Sequence, residues 1–246
     1  MISSTITSKS WKQAQSLSVE KARETGLSSA WGNGMLAGAM PVKVKICGIT
    51  NLPDGMAAAE AGADVLGFVF YERSPRHVAI ETAARIIREV PPFVLKAGVF
   101  ANAPEDLVFR AMSECGLNLL QFHGDESPAY CVQFGLMSMK AFRVKDAASL
   151  EHLTEYKTDA WLLDAHAPDQ LGGTGESFNW DLALEAQKWG RPIFLAGGLT
   201  PENVAEAVRR VRPYAVDVSS GVEAAPGRKD HAKVKAFIQA ARAASG

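Results

Sequence analysis

The 246-residue chain has little of what ties a protein to a membrane, a metal or nucleic acid. Its three cysteines, Cys47, Cys115 and Cys131, are odd in number and widely spaced, with no C-x-x-C pair. That spacing argues against a disulfide framework and against a zinc or redox dithiol motif, and fits a reduced cytoplasmic protein. No apolar run reaches the ~18–20 residues that a membrane helix needs. Lys and Arg number 26 against 27 Asp and Glu, so no overall field recruits nucleic acid or an acidic membrane. Also missing is a glycine-rich dinucleotide fingerprint after the first apolar run, which continues instead into Cys47-Gly48-Ile49-Thr50. An open doubly wound sheet normally carries that fingerprint.

What is present is core material, with 47% hydrophobic residues, enough for one large domain and too much for a disordered chain. Residues 1–40 differ from the rest, being rich in Ser, Thr, Gly and Ala with no strand pattern. Lys12 to Glu24 has the spacing of a polar helix with few apolar residues to bury, and Glu20 and Glu24 count against a transit peptide. This segment reads as a loosely ordered N-terminal extension, and residues 41–246 as a single domain.

From Pro41 onward, apolar runs alternate with amphipathic stretches. The strand candidates are Lys43–Cys47, Val65–Phe70, Leu95–Phe100, Leu117–Phe122, Met139–Arg143, Ala160–Asp164, Ile193–Ala196 and Ala215–Val218. Between them lie helical patterns at Leu52–Ala61, Ile80–Val90, Pro104–Cys115, Leu150–Tyr156, Asp181–Trp189 and Pro201–Val211. Thr200-Pro201-Glu202 predicts a cap, a proline at the first helical position and an acid in the first turn, and Ala103-Pro104-Glu105-Asp106 repeats the idea. Such alternation implies parallel strands joined by right-handed crossovers. Eight units imply an α/β fold, a small (β/α)8 TIM barrel, whose chemistry belongs on the loops after the strands.

Those loops hold the candidates. Gly197-Gly198 and Ser219-Ser220-Gly221 end the seventh and eighth runs. Small residues there let backbone N–H groups approach an anion, and this is the usual phosphate seat of such barrels. A phosphorylated small molecule is the expected ligand. Lys43, Lys45 and Cys47 share one face of the first strand. Cys47 reads either as a thiolate base or nucleophile stabilised by a lysine or as a small core residue. Asp164, closing the sixth run, reads as a functional carboxylate or as a cap. The glycine-rich Leu171–Gly175 segment that follows it reads as a ligand-wrapping lid or a flexible connector. Arg76, after the second strand, offers a planar fork to a carboxylate or belongs to a solvated basic loop. His123, two residues after Gln121, is an acid–base group or a hydrogen-bonded support. Asp217 reads as a partner for an inward lysine.

Together these segments resemble the phosphoribosylanthranilate isomerase family of tryptophan biosynthesis. The resemblance is carried by Val44-Lys-Ile-Cys-Gly-Ile-Thr50, Gly67–Tyr71 with Ser74-Pro-Arg76, Gln121–Gly124 and Leu162-Leu-Asp164. It continues through Gly172–Gly175 with Phe178, Leu195–Leu199 and Val216–Glu223, and spans about residues 42–245. It implies an Amadori rearrangement with Cys47 as general base and Asp164 as general acid, needing no metal or organic cofactor. It also implies that Arg76 pairs with the anthranilate carboxylate. Gln121 and His123 would line the substrate site, with Gly173 and Gly175 covering the ribose. Gly197, Gly198, Ser219, Ser220 and Gly221 would hold the phosphate. Asn179 departs from an acid common in the family. The related sugar isomerase of histidine biosynthesis uses an aspartate where this chain has Cys47. A phosphate sensor on an inactive barrel would not need both Cys47 and Asp164. The expected partner is a small phosphorylated molecule, with no nucleic acid or membrane, acting on a monomer or homodimer.

Overall fold

The computed structural model describes residues 41–164 and 180–245. The expected Lys12–Glu24 helix, Gly172, Gly173, Gly175, Phe178 and Asn179 lie outside the described residues. Eight parallel strands close into a barrel in chain order: β1 Lys43–Cys47, β2 Val65–Val69, β3 Leu95–Phe100, β4 Leu119–Phe122, β5 Met137–Arg143, β6 Ala160–Asp164, β7 Ile193–Ala196 and β8 Ala215–Val218. The ring closes where Lys43 to Ile46 of β1 pair with Ala215 to Val218 of β8.

Side chains alternate across the barrel wall, as a pleated strand requires. Val44, Ile46, Leu120, Phe122, Trp161, Leu163, Val216 and Val218 face the helices. Val65, Ala97, Leu119, Met139, Leu162 and Phe194 fill the interior. By the same alternation Lys45, Cys47, Gln121, Asp164 and Asp217 point inward.

The described helices are α1 Leu52–Ala61, α2 Ile80–Glu89, α3 Glu105–Cys115, α4 Pro128–Val132, α5 Trp180–Gln187, α6 Val204–Val211 and α7 His231–Ala243. The more amphipathic ones, α2, α3, α6 and α7, bury an apolar stripe. In α6 the stripe is Val204, Ala207, Val208 and Val211, and each buried valine contributes about 1.5–3 kcal/mol. α1 starts at Asn51, whose side chain accepts from the Asp54 N–H at 2.9 Å. α7 starts at Asp230, which accepts from Ala232 and Lys233 N–H groups.

Three helix expectations change. The Leu150–Tyr156 pattern forms two short 3-10 turns, Ala148–Leu150 and Leu153–Glu155, instead of a helix. Only Leu150 and Leu153 are buried there, too few for a continuous stripe. Helix α6 begins at Val204, because the side chain of Asn203 reaches back to the Thr200 N–H at 2.8 Å and holds Pro201–Asn203 as turns. Pro104 stands just before α3, not at its first position. α4, α7, a 3-10 turn at Ser220–Val222 and the two-stranded β9 Glu223–Ala225 and β10 Arg228–Lys229 complete the described elements. Among the described residues no helix is long and apolar enough to cross a membrane.

Candidate active site

The carboxyl ends of the strands open into a cleft of about 580 Å³. It is lined by Cys47, Arg76, Gln121, His123, Asp164, Gly197, Gly198 and Ser219–Gly221, so the structure gathers all ten described candidates around one space. Asp217 also lines the cleft.

Cys47 ends β1 and is nearly buried at 8% exposure, beside Val69 and Val99. Lys45, two residues earlier and completely buried, donates to Asp217 Oδ1 at 2.9 Å. The register sets Lys45 opposite Asp217 on β8 and Cys47 opposite Gly67 on β2. A Cβ at position 67 would lie 2.8 Å from Cys47 Sγ and 3.1 Å from Lys45 Nζ. Glycine there makes room for both groups. Burial pushes the Cys47 thiol up; Lys45 pulls the other way but does not offset burial and Asp217. The inward lysine predicted from β1 is thus present, but its charge is shared with Asp217 and the resting thiol keeps its proton. Burial also works against the Lys45 charge, yet Asp217 and Cys47 together outweigh it and hold the ammonium protonated.

Across the cleft the polar groups are wetter. His123 Nε2 lies 3.3 Å from Asp164 Oδ2, and both side chains are about a quarter exposed. His123 Nδ1 lies 3.1 Å from Gln121 Nε2. With the amide so oriented, Nδ1 accepts and the proton sits on Nε2, facing the carboxylate. Histidine at this position thus sits between a hydrogen-bonded amide and a nearby carboxylate. Gln121 Oε1 is buried with no partner among the described residues. The loop carrying His123 is fixed by Glu126, which accepts from the N–H groups of Asn102 and Gly124 and pairs with Lys140 at 2.8 Å.

Between β7 and β8, Gly197 and Gly198 both adopt positive φ, at 87° and 64°. This backbone is strained for other residues. Any side chain at Gly221 would overlap the Leu199 carbonyl oxygen, so the two loops touch through bare backbone. Ser219 Oγ donates to the Cys47 carbonyl at 3.1 Å and joins this seat to β1. Buried Lys229 donates to the Ser219 carbonyl at 3.2 Å and to Glu223 at 3.0 Å.

Arg76 is placed differently from a free fork. Its Nε and Nη2 donate to the two oxygens of Glu223 at 2.8 and 2.7 Å. Those bonds raise its already high pKa, while Arg76 and Lys229 together hold the Glu223 carboxyl low against its burial. The guanidinium is thus oriented at the cleft wall and partnered, with about a quarter of its side chain exposed. The sequence reading gave no role to Gly67, Glu223, Lys229 or Glu126, although Gly67 and Glu223 lie in segments that carry the family resemblance. Only Gly67, at the centre of an apolar strand run, carried a local signal. Among the described residues no group of three or more His, Cys, Asp or Glu is placed to hold a metal ion.

Fold and cleft together define a TIM-barrel enzyme working at the carboxyl ends of its strands. More narrowly, the chain belongs to the N-(5'phosphoribosyl)anthranilate (PRA) isomerase family, whose sequence profile matches residues 44–240. The N-(5'-phosphoribosyl)anthranilate isomerase of Citrifermentans bemidjiense is 60% identical over 200 residues, which cover 81% of this chain and 97% of that protein. The crystal structure of phosphoribosyl anthranilate isomerase from Thermotoga maritima superimposes with a TM-score of 0.77 at 45% identity, covering 82% of this chain and 99% of that one. A second solved isomerase, in complex with reduced 1-(o-carboxyphenylamino)-1-deoxyribulose 5-phosphate, gives a TM-score of 0.75 at 43% identity, covering 82% and 99%.

Proposed function

We propose that this chain converts N-(5′-phosphoribosyl)anthranilate to 1-(2-carboxyphenylamino)-1-deoxyribulose 5-phosphate, the aldose–ketose isomerisation of tryptophan biosynthesis. One observation carries the reading: a thiol and a carboxylate from opposite arcs of the barrel line the same cleft as the β7 and β8 glycine turns. Backbone N–H groups of Gly197, Gly198, Ser219, Ser220 and Gly221 hold the phosphate and fix the sugar. Asp164 gives a proton to the ribose ring oxygen, and the C1′–O bond opens to a protonated Schiff base. The Cys47 thiolate takes the proton from C2′, and the electron pair neutralises the iminium to an enolamine. Proton return at C1′, with loss of the proton on the C2′ hydroxyl, then gives the ketone. Each positioned acid or base supplies about 10²–10⁴-fold.

His123 and Gln121 orient Asp164 and line the sugar, and Arg76 faces the anthranilate carboxylate from its Glu223-anchored position. The chemistry assigns no role to a metal or organic cofactor. Residues 41–246 form the isomerase domain and residues 1–40 an appended extension, in a cytoplasmic protein. The protein acts as a monomer or a homodimer.

The test follows loss of the substrate's anthranilate fluorescence on adding purified protein. Turnover by the full chain and by a version starting at Met40 supports both the reaction and the domain assignment. Folded full-length protein without turnover overturns the isomerase reading.

A further inference from the structure

A fully buried lysine inside a barrel is costly, because its ammonium leaves water for a low-dielectric layer of side chains. The interior around it is apolar, with Val65, Ala97, Phe194 and Ala215 among its layers. Cys47 and Asp164 could line the cleft without it. The carboxylate of Asp217 keeps the charge tolerable at 2.9 Å, but an apolar pair of similar volume would fill the space at less cost.

Position explains the retention. Lys45 Nζ and Cys47 Sγ both crowd the face of Gly67, at 3.1 and 2.8 Å from the place a Cβ would take. The two atoms are therefore neighbours in space, on alternate residues of one strand. We propose that Lys45 and Asp217 act as a positioning pair for Cys47. The ammonium fixes the sulfur over Gly67 and faces the thiolate with a positive charge, and the carboxylate holds the ammonium charged and aimed. This rests on Cys47 as the base and adds two residues to the machinery that serves it.

The other charged groups bearing on the sulfur are few. Lys229, from β10, and Arg76, from the loop after β2, both interact with it electrostatically, and both are already paired with Glu223. Val69 and Val99, from β2 and β3, bring no charge. Among the attractive influences on the thiolate, that of Lys45 is the largest and exceeds the opposing effect of Asp217. Losing both members of the pair therefore leaves the thiolate less favoured.

The test compares Lys45→Met with the double variant Lys45→Met/Asp217→Asn in the full-length protein. Three readouts are taken: melting temperature, the pH dependence of Cys47 alkylation by iodoacetamide followed on the Cys47 peptide, and kcat with KM. Cys115 and Cys131 are buried with thiols pushed up to about 11 and about 12, and reading the Cys47 peptide separates them in any case. Lys45→Met strands a buried carboxylate and lowers the melting temperature. The double variant recovers it, since removing both charges is near neutral for stability. In both variants Cys47 alkylation at pH 8 falls roughly tenfold, the effect of a shift of about one pKa unit. In both, kcat falls by at least as much while KM stays within about threefold.

If the double variant regains stability together with wild-type alkylation and kcat, the pair is merely structural and the proposal fails. Should Lys45→Met not fold, the double variant decides alone. Cys47→Ser separates the two readings. Wild-type turnover in that variant overturns the base assignment, whereas the alkylation profile of native Cys47 still reports whether Lys45 and Asp217 govern the sulfur.

Discussion

The two flanks of the cleft differ in how they hold reactive groups. On the β1–β8 flank the sulfur of Cys47 sits in a dry wall, and the charges beneath it, Lys45 and Asp217, are paired by strand register. On the β4–β6 flank Asp164 and His123 lie 3.3 Å apart, each about a quarter exposed, and His123 is held by Gln121. The dry flank makes a thiol reluctant to ionise and strongly nucleophilic once ionised. The wet flank leaves a carboxylate able to exchange protons with water between turnovers. The contrast suits a base that must not be spent on solvent and an acid that must be reloaded.

The largest effects should break the contrast chemically. Cys47→Ser and Asp164→Asn should each lower kcat by about 10²–10⁴-fold while the affinity for product, read by fluorescence titration, stays within a few-fold. Loss of affinity on the same scale as loss of rate would show a binding role instead. Next comes Gly67→Ala, which strikes the dry flank alone. The added methyl must displace Cys47 Sγ or Lys45 Nζ, with an expected cost of about 1–3 kcal/mol in a urea titration and a fall in kcat of about ten- to a hundredfold for a displaced reactive atom. An unchanged rate would mean that the sulfur's place over Gly67 is unimportant.

Arg76→Ala should weaken product binding by about tenfold, the worth of one charged hydrogen-bonding contact, with kcat changed less than KM. Unchanged product affinity would place the anthranilate carboxylate elsewhere. The gentlest probe is pH. The Cys47 thiol is pushed up by burial and works deprotonated, so kcat/KM should rise with pH through the thiol's ionisation on the alkaline side of neutrality. In Cys47→Asp, whose carboxylate ionises far lower, that rise should vanish from the rate profile of whatever activity remains. Its persistence would assign the alkaline rise to another group.

Much of this architecture is legible along the chain. Apolar runs of four to six residues separated by amphipathic stretches admit few arrangements other than parallel strands with crossover helices, and β1, β3, β6, β7 and β8 begin and end where the pattern does. The inward direction of Lys45, Cys47 and Asp217 follows from the period-two alternation of strands. Short-range rules served less well where a few contacts decide. The Leu150–Tyr156 segment lacks the buried stripe that turns helical spacing into a helix, and Asn203 captures the backbone that Pro201 was expected to launch into α6.

Local order along the chain settled which residues lie at strand ends and on which side of the wall they face, because both depend only on spacing and on the geometry of a single strand. Closure of the barrel decided who meets whom. Lys45 and Asp217 are 172 positions apart, and only the β1–β8 register makes them a pair. Arg76 and Glu223, 147 apart, join only because the loops after β2 and β8 converge on one rim. The stability of buried charges and the proton affinity of a thiol depend on such long-range neighbours and on exclusion of water, and neither is a property of any stretch of sequence taken alone.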